Sequence, residues 1–306
     1  MRLSVVFGTR GNEASLPHLE RIFTCLQAQT FQPFSVICVV DTAVIPSTMK
    51  ELGKGLDIQW IASLRSYGQS SNASHVRNLG LKAVKTELVQ LFDDDNAFDE
   101  NYLARAVRHY DNLKKELNTE VVICGTVKNP KDGSARDWGF SHFNFRESRP
   151  VINIQRPGET IAQIQMFSGN GLLGNSQLFK SVLYDEQIAR IAEDLDFTLS
   201  LYERGTRLFV LDDLPVQHYE RDKSRLEMAR IGSSAQAHQK ARNRFIFLQK
   251  HGKWRNYIQF FICGLPGCLI WLSVKTIIWG GKHRRQIISG LFSGAREGFK
   301  ILRHKN

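Results

Sequence analysis

The sequence predicts an α/β domain on a mostly parallel sheet, followed by a basic helical tail. Apolar runs of strand length alternate with amphipathic stretches along the first 130 residues. Acidic residues recur where the strands end, and all of the net positive charge lies in the last 88 residues. The first pattern is that of βα units, whose strands are buried on both faces and therefore apolar throughout.

LSVVFG, residues 3–8, reads as a first buried strand. In residues 16–29, Leu16, Leu19, Ile22, Phe23 and Leu26 recur at spacings of three and four, which gives a helix with one apolar face. SVICVV, 35–40, is a second strand ending on Asp41. A short helix over 47–55 and a third strand, DIQWIA (57–62), follow. SNASHVRNLGLKAV, 71–84, predicts a helix N-capped by Ser74 with Val76, Leu79, Ala83 and Val84 on one side. ELVQLF is the fourth strand, and three consecutive carboxylates, Asp93, Asp94 and Asp95, stand at its end.

A helix over 99–117 and a strand, VVICGTV (121–127), continue the alternation. Residues 128–165 have no helical period and mix Gly, Pro, aromatic residues and Arg, and unpatterned stretches of that length are usually functional or mobile. Then come the Gly-rich FSGNGLLG (167–174), a helix near 176–182, the acidic helix start IAEDLDFTLSLYERG (191–205), and the strand RLFVLD before PVQHYERD.

Composition bounds the function. With 42% hydrophobic and 23% charged residues the chain has the makeup of a folded protein. The opening MRLSVVFGTR lacks an apolar segment of roughly 7 to 15 residues before small residues, so the expectation is a cytosolic main domain. Five cysteines at 25, 38, 124, 263 and 268 form no CxxC pair, which argues against a disulfide framework and a structural zinc site. Residues 219–306 hold 18 Lys+Arg against 4 Asp+Glu, a balance of +14, which leaves 1–218 at −3. A near-neutral domain with a basic, aromatic tail points to an anionic membrane surface rather than nucleic acid.

The division expected is 1–225 for the main domain, 226–252 for a basic amphipathic helix, and 253–306 for an apolar, basic tail. Residues 257–279 have about the length that crosses a bilayer core, ~20 residues. Gly264, Pro266, Gly267 and Lys275 interrupt them, so one span and two short interfacial helices both fit. The basic, amphipathic GLFSGAREGFKILRHKN favours a tail on the cytoplasmic face of a membrane, held peripherally or by a single segment.

In open parallel sheets ligands bind beyond the carboxyl ends of the strands. Asp41 and Asp93–Asp95 fall at such ends, where paired carboxylates serve either ribose hydroxyls or a hard divalent cation, Mn or Mg, shared with a phosphate-bearing substrate. An acidic run after a strand also serves as a helix N-cap. Three consecutive carboxylates repel one another without a nearby cation, which favours the metal reading. Neither a GxGxxG nor a GK[ST] loop follows the first strand.

Three stretches in this order resemble a known family. SVVFGTRGNEASLPHLERIFTCLQAQTFQPFSVICVVD, ASHVRNLGLKAVKTELVQLFDDDNAF and EDLDFTLSLYERG are similar to the opening βαβ, the Arg-Asn-x-Gly helix with its DxD strand end, and the E-D-x-D…R-x-G helix of family 2 glycosyltransferases. The similarity covers about residues 1–250. It departs at Gly8, where proline is common, and at Thr42, where a second aspartate is frequent.

The resemblance implies a GT-A fold and transfer of a sugar from a nucleoside diphosphate sugar to an acceptor hydroxyl, usually with inversion; the acidic motifs with the basic, apolar tail add the expectation of a lipid-linked or otherwise membrane-proximal glycan as acceptor. The resemblance places Thr9 and Asp41 on the nucleoside, Arg77 and Asn78 near the donor, and Asp93 and Asp94 about the ribose and metal. Asp95, Asp93 and His218 become metal ligands. Asp194 matches the general base, and Glu193 positions the acceptor. Asn170 and Gly171, in the Gly-rich stretch, would form a backbone wall for the acceptor, and Trp138 would stack on a sugar. A noncatalytic, membrane-tethered binding module on the same scaffold is the competing reading.

Overall fold

Why the apolar runs form one sheet follows from their pairing. In the computed structural model, which describes residues 1–63, 72–219 and 224–303, β1 (Leu3–Thr9), β2 (Phe34–Val40), β3 (Ile58–Ala62) and β4 (Leu88–Asp93) lie parallel in the order β3-β2-β1-β4. Every residue of β1 except Gly8 is buried, as is β2 apart from Ser35, because helices cover both faces. α1 (Leu16–Gln27) buries Leu19, Ile22, Phe23 and Leu26, and α2 (Ser47–Leu52) buries Met49. α3 (Ala73–Ala83) seats Gly80 against Val6 and Val39, so that no side chain separates this helix from the sheet.

The N-cap of α3 is Asn72 rather than Ser74. The Asn72 side chain accepts from the His75 amide, whereas the Ser74 hydroxyl donates to the Ile188 carbonyl. Ser71 at the head of that stretch, and residues 220–222 of PVQHYERD, lie outside the described residues.

β5 (Asn96–Ala97) follows the aspartates, and α4 (Tyr102–Leu117) leads into β6 (Val121–Lys128). The stretch without helical period contains four short strands, β7 (Ala135–Asp137), β8 (Phe140–Asn144), β9 (Arg149–Ile152) and β10 (Ile161–Ile164). β11 (Leu172–Asn175), α5 (Ser176–Val182), α6 (Glu193–Glu203) and β12 (Arg207–His218) complete this part. The ten-stranded sheet runs β10-β12-β6-β11-β4-β1-β2-β3, with β5 paired to β12 and β7 to β6. β11 is antiparallel to both neighbours, β10 is antiparallel to β12, and β12 is parallel to β6. RLFVLD and PVQH are thus one strand, with an irregularity between Leu211 and Val216.

The chain separates into two units. One comprises Met1–Ser141, Ile152–Ala189 and Glu193–Tyr219; the other comprises His142–Val151, Arg190–Ala192 and Glu220–Asn306. The second unit is built on α7 (Arg225–Met228), α8 (Ser234–His251), α9 (Trp254–Gln259), α10 (Leu265–Trp279) and α11 (Arg284–Arg303). A π-turn, Phe260–Gly264, joins α9 to α10, so the sequence break at Gly264 and Pro266 is absorbed inside one continuous helix. That helix, Trp254–Trp279, is 26 residues long, and its most apolar 18-residue stretch has a mean hydropathy of 1.8.

The final amphipathic segment does not keep its apolar face free. Ile287, Leu291 and Ala295 of α11 are buried. Gly290, Gly294 and Gly298, spaced one turn apart, bring it against Ser234, His238 and Phe245 of α8, where any Cβ would collide. Glu297 fixes the register by pairing with Arg242 at 2.6 Å and His238 at 2.8 Å. Asn243 of α8, buried, donates to the carbonyls of Arg190 (2.8 Å) and Ile191 (3.0 Å).

Candidate active site

Thr9, Asp41, Asp93 and His218 stand at the carboxyl ends of β1, β2, β4 and β12, so the sheet topology gathers them without long loops. The Asp93–Asp95 turn is held by Asn96, whose side-chain oxygen accepts from the Asp93 amide at 3.0 Å. The Asn96 side-chain nitrogen donates to Asn170 Oδ1, also at 3.0 Å. The Tyr219 amide donates to the Asp95 carbonyl, which ties the turn to the end of β12.

One cation draws two of the acidic motifs together. Arg77 Nη2 lies 2.7 Å from Asp93 Oδ1, and Arg77 Nη1 lies 3.2 Å from Glu193 Oε1 and 3.4 Å from Asp194 Oδ1. Its guanidinium also sits 5.4 Å from the Tyr184 ring centroid. Burial works against its charge, yet Asp194, Asp93, Tyr184 and Glu193 together hold the Arg77 pKa well above the ordinary value.

Asp93, Asp95 and His218 present ligand atoms that all lie within 4.8 Å of one another, and His218 Nε2 is 3.0 Å from Asp95 Oδ1. Two carboxylates and an imidazole form a donor set able to hold a divalent cation. The electrostatics agree. Burial pushes the Asp94 carboxyl up to about 7, Asp95 and Asp93 push the same way, and the Thr9 hydroxyl and Arg10 oppose them. Negative charge is therefore crowded at this turn, as a cation site requires. Asp93, Asp95 and His218 fit a divalent cation and would hold it.

The other acidic motif opens α6. Ile191 and Ala192, directly before it, have φ of 67° and 74°, a conformation that costs most for a β-branched residue. The expected helix start at 191 is accordingly delayed to Glu193. Gly169 has φ of 89°, and a Cβ there would stand 2.5 Å from the Asp194 carboxyl. The Gly-rich backbone thus closes on the Asp194 side chain, which is 15% exposed. Gly171, at φ 76°, packs similarly against Tyr102 and Val216.

Other candidates have different surroundings. Asp41 accepts from Ser63 at 2.9 Å and is half-buried. Asn78 is buried, with its amide bonded to the Tyr184 backbone on both sides and to Glu186, so it fixes the 184–186 loop beside Arg77. Trp138 is only 3% exposed and packs in a core cluster with Ile164 and Phe167, so it offers no face for stacking on a sugar.

Sequence reasoning missed Asn96, Tyr184 and Asp137. Asn96 carried a signal, since an Asn three residues after Asp93 can bond back to that residue's amide. The half-buried Asp137 carboxyl accepts from the Gly139 amide and from Ser168 of the Gly-rich stretch, and desolvation raises its pKa. Nothing in its local sequence marked it.

Comparison with known proteins bears on the family and the fold. The family model described as Glycosyl transferase family 2 matches residues 11–182, more than half of the chain. Among solved structures, S. aureus TarS 1–349 in complex with UDP-GlcNAc is similar at 16% identity and a TM-score of 0.57, over 100% of this chain and 93% of that one. The same protein with UDP gives 16% and 0.53, over 98% and 92%. A longer TarS chain gives 17% and 0.54, over 80% of this chain, which spans 39% of its length. These likenesses concern the fold. No curated protein matches the sequence.

Proposed function

The chain belongs to glycosyl transferase family 2, and we propose that it transfers a sugar from a nucleoside diphosphate donor to an acceptor hydroxyl by single displacement, with inversion, using Asp194 as general base. The observation that carries this reading is the Arg77 bridge, which sets the Asp93 end of the donor site beside the acidic pair that opens α6.

Thr9 and Asp41 receive the nucleoside, and Asp93 and Asp94 face the ribose and diphosphate. TarS is described in complex with UDP-GlcNAc and with UDP, which supports a uridine nucleotide as the first donor to try. A divalent cation bound at Asp93, Asp95 and His218 would neutralise charge on the departing diphosphate. Arg77 adds a fixed positive charge beside it.

The acceptor oxygen bonds to the anomeric carbon while the bond from that carbon to the diphosphate oxygen breaks, and the diphosphate leaves with the electron pair. Asp194 accepts the hydroxyl proton as the attack proceeds. Glu193 and the backbone of 169–171 orient the acceptor. The acceptor is a glycan or lipid-linked saccharide near the cytoplasmic face of a membrane, with which the second unit associates through the helix Trp254–Trp279.

The test is a panel of sugar nucleotides with and without Mn²⁺, read by nucleotide-induced thermal stabilisation and release of nucleoside diphosphate. Metal-dependent stabilisation by one donor, with turnover, supports the proposal. Stabilisation without turnover under any acceptor, and cellular function that survives Asp194→Asn, favours a binding module.

A further inference from the structure

Within the second unit, a cavity of about 320 Å³ opens between α7 and α10 and is lined by Arg225, Met228, Ala229, Lys275 and Trp279. The Arg225 guanidinium lies 5.2 Å from the Trp279 ring centroid; the Lys275 ammonium lies 4.8 Å from that of Trp271 and 6.0 Å from that of Trp279. Among the described residues neither cation meets a carboxylate. A third, Lys240 of α8, donates to the carbonyl of Ala229 in the cavity wall.

Burial, reinforced by Arg244, Arg230 and Lys275 and opposed by Cys268, brings the Lys240 pKa down to about 7. The region therefore gathers three basic side chains, Arg225, Lys275 and Lys240, and among the described residues none of the three is paired with a carboxylate. An arginine and a lysine on an indole wall suit a phosphate oxygen set, and the volume suits a small headgroup.

What surrounds the cavity selects the source of that phosphate. The same helix exposes Ile262, Ile270, Trp271, Ile277 and Ile278, an apolar face with indoles at its edge, and the unit is strongly basic. A soluble phosphate would use none of this surface, whereas a lipid presents an anionic headgroup and acyl chains together. We propose that the Arg225–Lys275–Trp279 cavity binds the phosphate of an anionic phospholipid while the exposed Ile and Trp face enters the bilayer interface. The inference rests on the membrane reading above and adds a defined headgroup site to it.

The test is co-sedimentation of the full chain with phosphatidylcholine vesicles, with or without phosphatidylglycerol, for the wild type, Arg225→Gln/Lys275→Gln, and the charge-matched Lys282→Gln/Arg285→Gln. Loss of general surface attraction weakens both pairs alike. The expected result is binding that requires phosphatidylglycerol, is not displaced by inorganic phosphate at constant ionic strength, and falls at least about tenfold further in the cavity pair than in the control pair. Equal loss in the two pairs, or displacement by inorganic phosphate, overturns the headgroup site and leaves the membrane reading intact. No sedimentation with either vesicle overturns both. Should the double variant fail to fold, Lys275→Met against Lys282→Met is read the same way.

Discussion

Arg77 Nη2 stands 2.7 Å from Asp93 Oδ1, joining the middle of α3 to the end of β4. The same guanidinium reaches Glu193 and Asp194, so one side chain, 12% exposed, compensates three carboxylates. Arg77→Ala leaves those partly buried acids without their cation, which costs at most about 3–5 kcal/mol, the range for a fully buried pair. Arg77→Lys keeps the charge but loses the fork that spans two acidic motifs, so it should retain the fold and lose activity. Urea unfolding and donor turnover, measured on both variants, separate these effects.

The backbone of Gly169 touches the Asp194 carboxyl where a Cβ would intrude at 2.5 Å. Gly169→Ala should therefore displace the base while leaving the donor site in place. A misplacement of about 1 Å can cost roughly 100-fold in rate. Steady-state kinetics should show the loss in kcat, with the donor KM nearly unchanged.

His218 and Asp95, 3.0 Å apart, form the proposed cation site with Asp93. Loss of a residue that only supports a ligand costs about 10–100-fold in metal affinity, so His218→Ala should raise the Mn²⁺ concentration for half-maximal activity by at least that factor. Chelation should abolish turnover, and Mn²⁺ should restore it in the wild type at lower concentration than in the variant.

Lys240 titrates near pH 7 when folded, against an ordinary lysine value of 10.5. Between those values the unfolded chain binds the extra proton, so stability rises with pH through this window, and the penalty of burying the charge is full below pH 7. Lys240→Met should raise Tm most below pH 7, with the gain fading toward pH 10. Thermal unfolding across that range checks the sign.

The alternation of apolar strands and amphipathic helices made the parallel half of the sheet legible, because burial on both faces leaves few polar residues in β1, β2 and β4. The short strands in 128–165 were not legible, since each is only three to five residues long and their pairing is set by distant partners. The carboxylates were visible as strand-end and helix-start motifs. Trp138 was not placed correctly, because an aromatic residue in an unpatterned stretch reads the same whether buried or exposed. The covered face of α11 was equally hidden, as its Gly290, Gly294 and Gly298 gain meaning only against α8.

The central claim is that Asp194 takes the acceptor proton in a metal-dependent sugar transfer. It is tested most directly by comparing the wild type and Asp194→Asn for donor binding and for transfer to an acceptor in Mn²⁺. The account expects the variant to bind the donor with unchanged affinity and to lose transfer by at least about 100-fold, the lower range for general-base catalysis. Transfer at the wild-type rate by Asp194→Asn would contradict it.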